Sequence, residues 1–514
     1  THMRGRRSAP WLVKKPMYAV PNHMLAQFTK EFYQQYPTAR IMVADDRQFH
    51  TDRRKQFFAN VALNDLDAVI ITHSSFGKIP VSDAFQDQVI EAELSEYRKA
   101  LEDVPKGQEA RITRSRIEKQ IERLEQRLSG KGTMAKDSVF NFDELGVDFL
   151  FVDEAHLFRK LDFSTQMSNL KGITPKGSNM AWDLFVKTKL LETKNPGRNL
   201  VLASGTPVTN TMAELYTVSR YTQMAELRER GLQQFDAWAG TYGENVTELE
   251  QDAAGGYKPV SRFAKFVNVA ELSSMVRQVM DVVSSRQLAQ YVVRPTLKGG
   301  KREMNLAEKS PALARYQASL AARMKAMEGR GKPQPGDDII LKVIEDGRYA
   351  AIDMRLAGGH ADPEYPSKLD LLIENVARIH KQTRAQKFYR PKDGAYDMSK
   401  PADTGPAAQM IFANLGLSGS RGFSVPNYIR AELVRRGVPR AEIAMIGDYE
   451  NHVAKQKLFN DINSGVVRVL IGSTAKMATG VNVQRRLSDI HNLDPLWYPA
   501  DDEQRNGRGV RQGN

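Results

Sequence analysis

The sequence predicts an α/β protein of two lobes, each built on a parallel sheet, with a helical hairpin inserted in the first lobe and a helical connector between the two. Three observations carry this expectation. Short apolar runs of strand character alternate with helical patterns from Lys15 onward, the same rhythm returns near Ser367, and the stretch between them shows no clear strand. Length agrees, because at roughly 150 residues per domain a chain of 514 makes about three units, or two with large insertions.

In the first lobe, strands are expected at 17–20, 41–43 and 68–71, with helices over 24–36 and around 53–63. From 84 to 136 the composition turns to dense mixed charge, with apolar residues at Ile90, Leu94, Tyr97 and Leu101 and at Ile117, Ile121, Leu124 and Leu128. That spacing puts each set on one helical stripe, and Pro105-Lys106-Gly107 supplies the turn. Its charge makes the hairpin a solvated structural arm, with a protein-docking arm as the alternative. Strands resume at 147–152 and 199–203. In the helical stretch that follows, 328–336 is rich in Gly, Pro and Lys and reads as a mobile loop. The second lobe has strands at 409–412, 443–446 and 467–471, interrupted by a polar loop at 389–405. The expected boundaries are therefore a tag or truncated leader at 1–14, where Thr1-His2-Met3 has the character of a cloning remnant, the first lobe at 15–225, the connector at 226–365, and a C-terminally truncated second lobe at 366–514.

Composition narrows the function. Apolar residues at 41% and charged residues at 26% describe an ordinary globular chain, which excludes fibrous and disordered classes. No apolar run reaches the ~18 residues of a membrane span and no secretory leader is visible, so a soluble, cytoplasmic protein is expected. With 74 Lys and Arg against 61 Asp and Glu, the formal charge of +13 favours a polyanionic partner. The absence of cysteine excludes disulfides, thiol nucleophiles and Cys-ligated metals.

Three segments carry chemistry. At the end of a buried strand stand Asp153-Glu154-Ala155-His156, and ligands of open α/β sheets collect at that edge. There an aspartate can hold Mg²⁺ while its neighbour orients and deprotonates an attacking water, with His156 placed to report nucleotide state; a strand-end surface turn is the alternative for this tetrapeptide alone. A second strand ends in Ser204-Gly205-Thr206-Pro207, followed by Asn210 and Glu214-Leu215, which also reads as a plain Gly-Pro turn with a helix cap. Near the end, Ser473 to Val483 follows a strand and Gln504 to Gln512 contains Arg508 and Arg511, three apart and suited to one helix face. Guanidinium groups so placed suit the charge on a transferring phosphate, with salt bridging or DNA-backbone contact as alternatives.

Taken in order, these segments resemble superfamily-two helicases, and among them the Swi/Snf-like double-stranded DNA translocases, over roughly 15–514. Pro21-Asn22-His23-Met24-Leu25 looks like the first DNA-contact motif, 70–76 the next, Asp153 to His156 the Walker B (DEAH-type) box, and Ser204 to Asn210 with Glu214-Leu215 the coupling motif. Tyr291 to Arg294 resembles the apolar-arginine segment between lobes, Pro366 to Leu369 the opening of the second lobe, and 409–414 its first strand. Residues 12–23 and 507–514 are further similar to helicase regions of very large methyltransferase–helicase proteins of phages and mobile elements.

The resemblance implies two RecA-like lobes, ATP and Mg²⁺ as cofactors, and duplex DNA as partner. It implies a site between the lobes with Asp153, as metal ligand, and Glu154 on one wall, and Arg508, Arg511 and Gln504 on the other. Ser204, Thr206, Gly480 and Asn482 would lie near the nucleotide, and Asn22, His23, Thr72, Ser74, Thr474 and Lys476 near phosphates of DNA. One departure stands against it. The family's P-loop ends in Gly-Lys-Thr or Gly-Lys-Ser, and this chain has neither; Gly77-Lys78-Ile79 and Gly331-Lys332-Pro333 lack the hydroxyl partner. The expectation is an ATPase parent whose present chain is weak or inactive alone, with a non-catalytic DNA-binding module or an RNA helicase as alternatives.

Overall fold

The computed structural model describes residues 13–44, 51–104, 111–129, 140–167, 170–209, 211–251, 257–288, 291–327, 334, 336–392, 395–419, 422–450, 452–477, 481–497, 499–507 and 509–510. Contacts divide the chain into two units, Thr1–Glu248 with Pro259–Asp281 and Leu249–Lys258 with Val282–Asn514. The segment 226–365 is thus shared between them rather than standing as a separate body.

The first unit is built on five parallel strands, β1 (Pro16–Val20), β2 (Ile41–Ala44), β3 (Ala68–Thr72), β4 (Phe149–Val152) and β5 (Leu200–Leu202), in the order β2-β3-β1-β4-β5. All five residues of β3 are buried, as a parallel strand covered on both faces requires, and its unbroken apolar run follows from that. The helices are α1 (Leu25–Gln35), α2 (Thr51–Leu63), α3 (His73–Phe76), α4 (Asp83–Asp103), α5 (Arg111–Leu128), α6 (Asn179–Lys194), α7 (Ala213–Thr222), α8 (Met224–Glu229), α9 (Phe235–Tyr242) and α10 (Val269–Arg277). One sheet face packs against Phe57, Phe76, Leu184 and Phe185, the other against Leu25 and Phe32.

The expected helical hairpin is α4 with α5, its turn at 105–107 lying outside the described residues. It is not a solvated arm. Ile90, Leu94, Tyr97, Ile117 and Leu124 join the main core of the unit. Part of its charge is internal: Arg220 on α7 grips both oxygens of Glu93 at 2.7 Å, and Arg123 reaches Asp162 at 2.9 Å. A charge-rich helix can therefore be buried when its charges are paired across the interface, which charge counts along one segment do not reveal.

The helical stretch also contains a two-stranded sheet of β6 (Gly243–Gln251) and β7 (Tyr257–Phe266), contrary to expectation. In β7 only Val260 and Phe263 are buried, so no alternating apolar pattern marks it. The mobile loop expected at 328–336 falls mainly outside the described residues.

In the second unit, α11 (Ser285–Leu288), α12 (Pro311–Lys325), α13 (Ile340–Ile352) and α14 (Lys368–Gln382) precede the sheet. A capping box of Ser367 and Asp370 starts α14. The polar loop expected at 389–405 instead contains two short antiparallel ladders, β8 (Gln386–Phe388) with β11 (Asp403–Gly405) and β9 (Pro391–Lys392) with β10 (Ala395–Tyr396). Strands of two or three residues are too short to show a period. The main sheet consists of β12 (Ala408–Phe412), β13 (Ile443–Met445), β14 (Val469–Gly472) and β15 (Leu487–Asn492), all parallel and ordered β13-β14-β12-β15. Around it lie α15 (Val425–Arg435), α16 (His452–Asn463), α17 (Thr474–Met477) and α18 (Pro499–Asn506). Both units are thus α/β with parallel sheets. No helix of the described residues is long and apolar enough to cross a membrane.

Candidate active site

Strand register brings the first unit's chemistry to one edge. Ala19 of β1 pairs with Val152 of β4, Val20 with Thr72 of β3, and Val152 with Leu202 of β5, so Asn22, His73, Asp153 and Ser204 all follow strand ends at the same level. Main-chain bonds extend that order past the strands: Asp153 N–H donates to Ala19 O at 2.9 Å, and Ala155 N–H to Ala203 O at 2.9 Å. The carboxylate turn is thereby held from both sides.

Asp153 and Glu154 are half-buried. Burial, and to a lesser degree the neighbouring Glu154, pushes the Asp153 carboxyl above its ordinary range. Glu154 has φ 48° and ψ 45°, a left-handed conformation that only one other described non-glycine residue, Asn268, shares. Such a conformation costs an L-residue about 1–2 kcal/mol and persists where its surroundings dictate it. His156 Nδ1 lies 3.0 Å from Glu154 Oε2, an ion-pair distance without an aligned hydrogen bond.

The loop after β5 is tied to the turn that follows the carboxylates. Arg159 lies 2.9 Å from Glu214 Oε1, Glu214 Oε2 accepts from Thr209 N–H at 2.8 Å, and Thr217 Oγ1 donates to Arg159 O at 2.6 Å. Half-buried Ser204 accepts from Thr206 N–H at 3.1 Å. Glu214, noted in the sequence only as part of a motif, is the residue that couples the two loops.

His73 was not singled out, although Thr72 and Ser74 on either side were. It is buried beside the main chain of Asp153 and Ala19, its Nε2 has no hydrogen-bond partner among the described residues, and its ring stands edge-on to Phe158 at 5.0 Å. Burial depresses it to about 4, so the ring is neutral. Thr72, expected at phosphate, is instead 1% exposed, and its hydroxyl caps α3 by accepting from Ser75 N–H at 3.2 Å. Ser74 remains half-buried, its N–H donating to Asn22 Oδ1 at 3.3 Å, and Asn22 and His23 are exposed.

In the second unit the corresponding edge is a closed network. Asn414, after β12, donates to Asp494 from its side chain at 3.1 Å and accepts from Thr474 N–H at 2.8 Å. Arg505 donates to Thr474 Oγ1 at 2.9 Å and to Asp494 O at 3.0 Å, and its guanidinium lies over the Phe412 ring. Arg505 and Asp494 were both missed; Arg505 is 1% exposed, and a lone arginine between Gln504 and Asn506 gives no sign of burial. The Thr474 hydroxyl, expected on DNA, is committed to Arg505. Lys476 and Asn482 are exposed, and Gln504 is half-buried on α18. Arg508, Arg511, Gly480 and Asn210 lie outside the described residues.

A family described as "Probable helicase domain" matches residues 7–284, more than half of the chain, and the protein belongs to that family. Among curated proteins, Defense against restriction protein B of Escherichia phage P1 is 22% identical over 87% of this chain, which spans about a quarter (24%) of that relative's length. Among solved structures, the SWI2/SNF2 ATPase core of Sulfolobus solfataricus in complex with dsDNA aligns over 94% of this chain and 77% of its own, at 13% identity and TM-score 0.29. The Hef helicase domain of Pyrococcus furiosus aligns over 98% and 92%, at 10% identity and TM-score 0.28. Scores this low carry no argument; family membership and the edge geometry do.

Proposed function

We propose that the chain is the motor core of an ATP-dependent translocase that tracks along duplex DNA, and that alone it binds ATP poorly and turns it over slowly or not at all. The observation that carries the reading is the carboxylate pair at the strand ends of a helicase-family domain, with Glu154 held in a strained backbone between two bracing strands.

Asp153 and Glu154 fit a divalent cation brought with a nucleotide. Among the described residues no cluster of three or more potential ligands could cage a metal by itself, and Mg²⁺ is ordinarily held by one or two carboxylates together with substrate phosphates. Asp153, raised by burial, gains most from a cation beside it. Bound there, Mg²⁺ would neutralise phosphate charge. Glu154 orients and deprotonates the attacking water, and His156 senses the state of Glu154. Ser204, Thr206, Gly480 and Asn482 are assigned to the nucleotide's surroundings, and Gln504, Arg508 and Arg511 to phosphate charge. Asn22, His23, Ser74 and Lys476 are assigned to backbone phosphates of nucleic acid, positioning without reading sequence.

The test is hydrolysis by the 514-residue chain with and without duplex DNA, beside Glu154→Gln. Little or no turnover in either protein is expected, with duplex affinity that falls steeply as salt rises. Robust DNA-stimulated turnover that vanishes in Glu154→Gln would overturn the proposed weakness while supporting the motor. Equal or better binding of RNA would overturn the DNA assignment.

A further inference from the structure

The segment between α14 and β12 is a two-tier hairpin arm. Its lower ladder pairs Lys387 with Thr404 and its upper ladder pairs Lys392 with Ala395. The root is firmly fixed. Arg468 Nε donates to Ala407 O at 3.1 Å and its Nη2 to His380 O at 2.7 Å, and Ala407 N–H donates to Thr383 O at 3.0 Å. Arg486 bonds Asp403 and lies over the Phe388 ring at 5.3 Å. A side chain at Gly405 would collide with Arg486, since a Cβ there would sit 2.3 Å from Nη1.

On this rigid root stand Lys381, Arg384, Lys387, Arg390, Lys392 and Lys400, all exposed. The sequence from 381 to 405 has these six cations against three carboxylates, Asp393, Asp397 and Asp403, a net +3 in a chain whose whole charge is +13, and Asp403 is already paired with Arg486. Asp397 is engaged by Ser399, whose N–H donates to it at 3.0 Å. Among the described residues no ion pair joins any of the six to a carboxylate. Concentrated like charge on a stiff arm is self-repulsive, and a polyanion relieves it. The arm sits at the start of β12, whereas Lys476 follows the far end of β14, paired with β12. At about 3.3 Å per residue, five-residue β12 separates the two positions by roughly 16 Å.

We infer that the arm formed by residues 386–392 and 395–405 is a second grip on the nucleic-acid phosphate backbone, independent of base sequence. This rests on the nucleic-acid reading of the function and adds a contact surface that reading does not contain.

The experiment titrates duplex DNA several helical turns long against the 514-residue chain over a range of salt. It is repeated with Lys387→Gln, Arg390→Gln, Lys392→Gln and Lys400→Gln combined, and with a charge-matched control of Lys55→Gln, Lys99→Gln, Lys119→Gln and Lys258→Gln. Every one of these positions is exposed, so both proteins should melt as the wild type does. Each lost phosphate contact flattens the plot of log affinity against log salt by about 0.9, so the arm variant should lose about 2 to 4 in slope and at least about tenfold in low-salt affinity. An arm variant matching the control, with a wild type that binds, overturns the arm alone; a wild type that binds no duplex overturns the parent reading too. Intact duplex binding with lost binding to polyglutamate would assign the arm to an acidic protein and overturn the inference.

Discussion

The two sheets end in opposite ways at equivalent edges. In the first unit the edge carries a strained Glu154, an Asp153 raised by burial, and an edge strand β5 whose Val201 is 39% exposed. In the second unit Asn414, Thr474, Asp494 and Arg505 saturate one another, with Asp494 and Arg505 almost wholly enclosed. Sites that do chemistry retain strain and unneutralised charge, whereas sites that hold geometry satisfy every group. On the proposed function reactivity belongs to the first edge and rigidity to the second, and substitutions in the two should differ in size and in sign.

The largest effect is expected at Arg505. Arg505 Nη2 lies 3.9 Å from Asp494 Oδ1, so Arg505→Met leaves the Asp494 carboxylate buried without its cation, and breaking a buried pair from one side costs about 3–5 kcal/mol. Adding Asp494→Asn should recover more than half of the loss in urea unfolding, because an amide oxygen still accepts from Asn414 without a stranded charge. If Arg505→Met loses under about 1 kcal/mol, the second edge is not a structural lock.

How far the sequence anticipates this depends on where the relevant signal lies. Strands such as β3 and β12 are buried on both faces, so their apolar runs, unbroken in β3 and interrupted only by Gln409 in β12, stand out locally. Asp153 and Glu154 are legible because a carboxylate pair at a strand end is unusual in one dimension. Burial of Arg505, capping by Thr72 and the internal pairing of Glu93 with Arg220 depend on partners 31, 3 and 127 residues away. Only the three-residue cap lies within local reach, and there a hydroxyl at a strand end suggests phosphate instead. The β8–β11 and β9–β10 ladders are too short for periodicity, so the arm read as loop.

An intermediate effect is expected at His73, and it depends on pH. In the folded protein His73 titrates at about 4 against an ordinary 6.5, held down by burial despite the nearby main chain of Asp153 and Ala19 and the charge of Glu154; His23 adds slightly to the depression. Between these values the unfolded chain holds the extra proton, so stability is fully present above pH 6.5 and falls as pH drops toward 4. The loss is about 1.4 kcal/mol per pH unit, roughly 3 kcal/mol over the window. His73→Gln cannot titrate, so the wild-type-minus-variant stability difference should shrink on acidification. A difference that stays constant from pH 7 to about pH 4 would mean His73 is not a buried neutral group beside the carboxylate turn.

The smallest effect carries the opposite sign. Glycine adopts Glu154's left-handed conformation without a Cβ penalty but gives the unfolded chain more freedom, so Glu154→Gly should stabilise by only about 0.5–1 kcal/mol. Glu154→Gln keeps the same backbone demand and should lie within about 0.5 kcal/mol of the wild type. The pair separates the cost of the conformation from the loss of the charge. A Gly variant more stable than the Gln variant means that the fold tolerates an unfavourable backbone to place a side chain at this position, which the saturated edge of the second unit never has to do. A Gly variant no more stable than Gln would remove the strain from the comparison and leave the raised carboxyl of Asp153 as its remaining support.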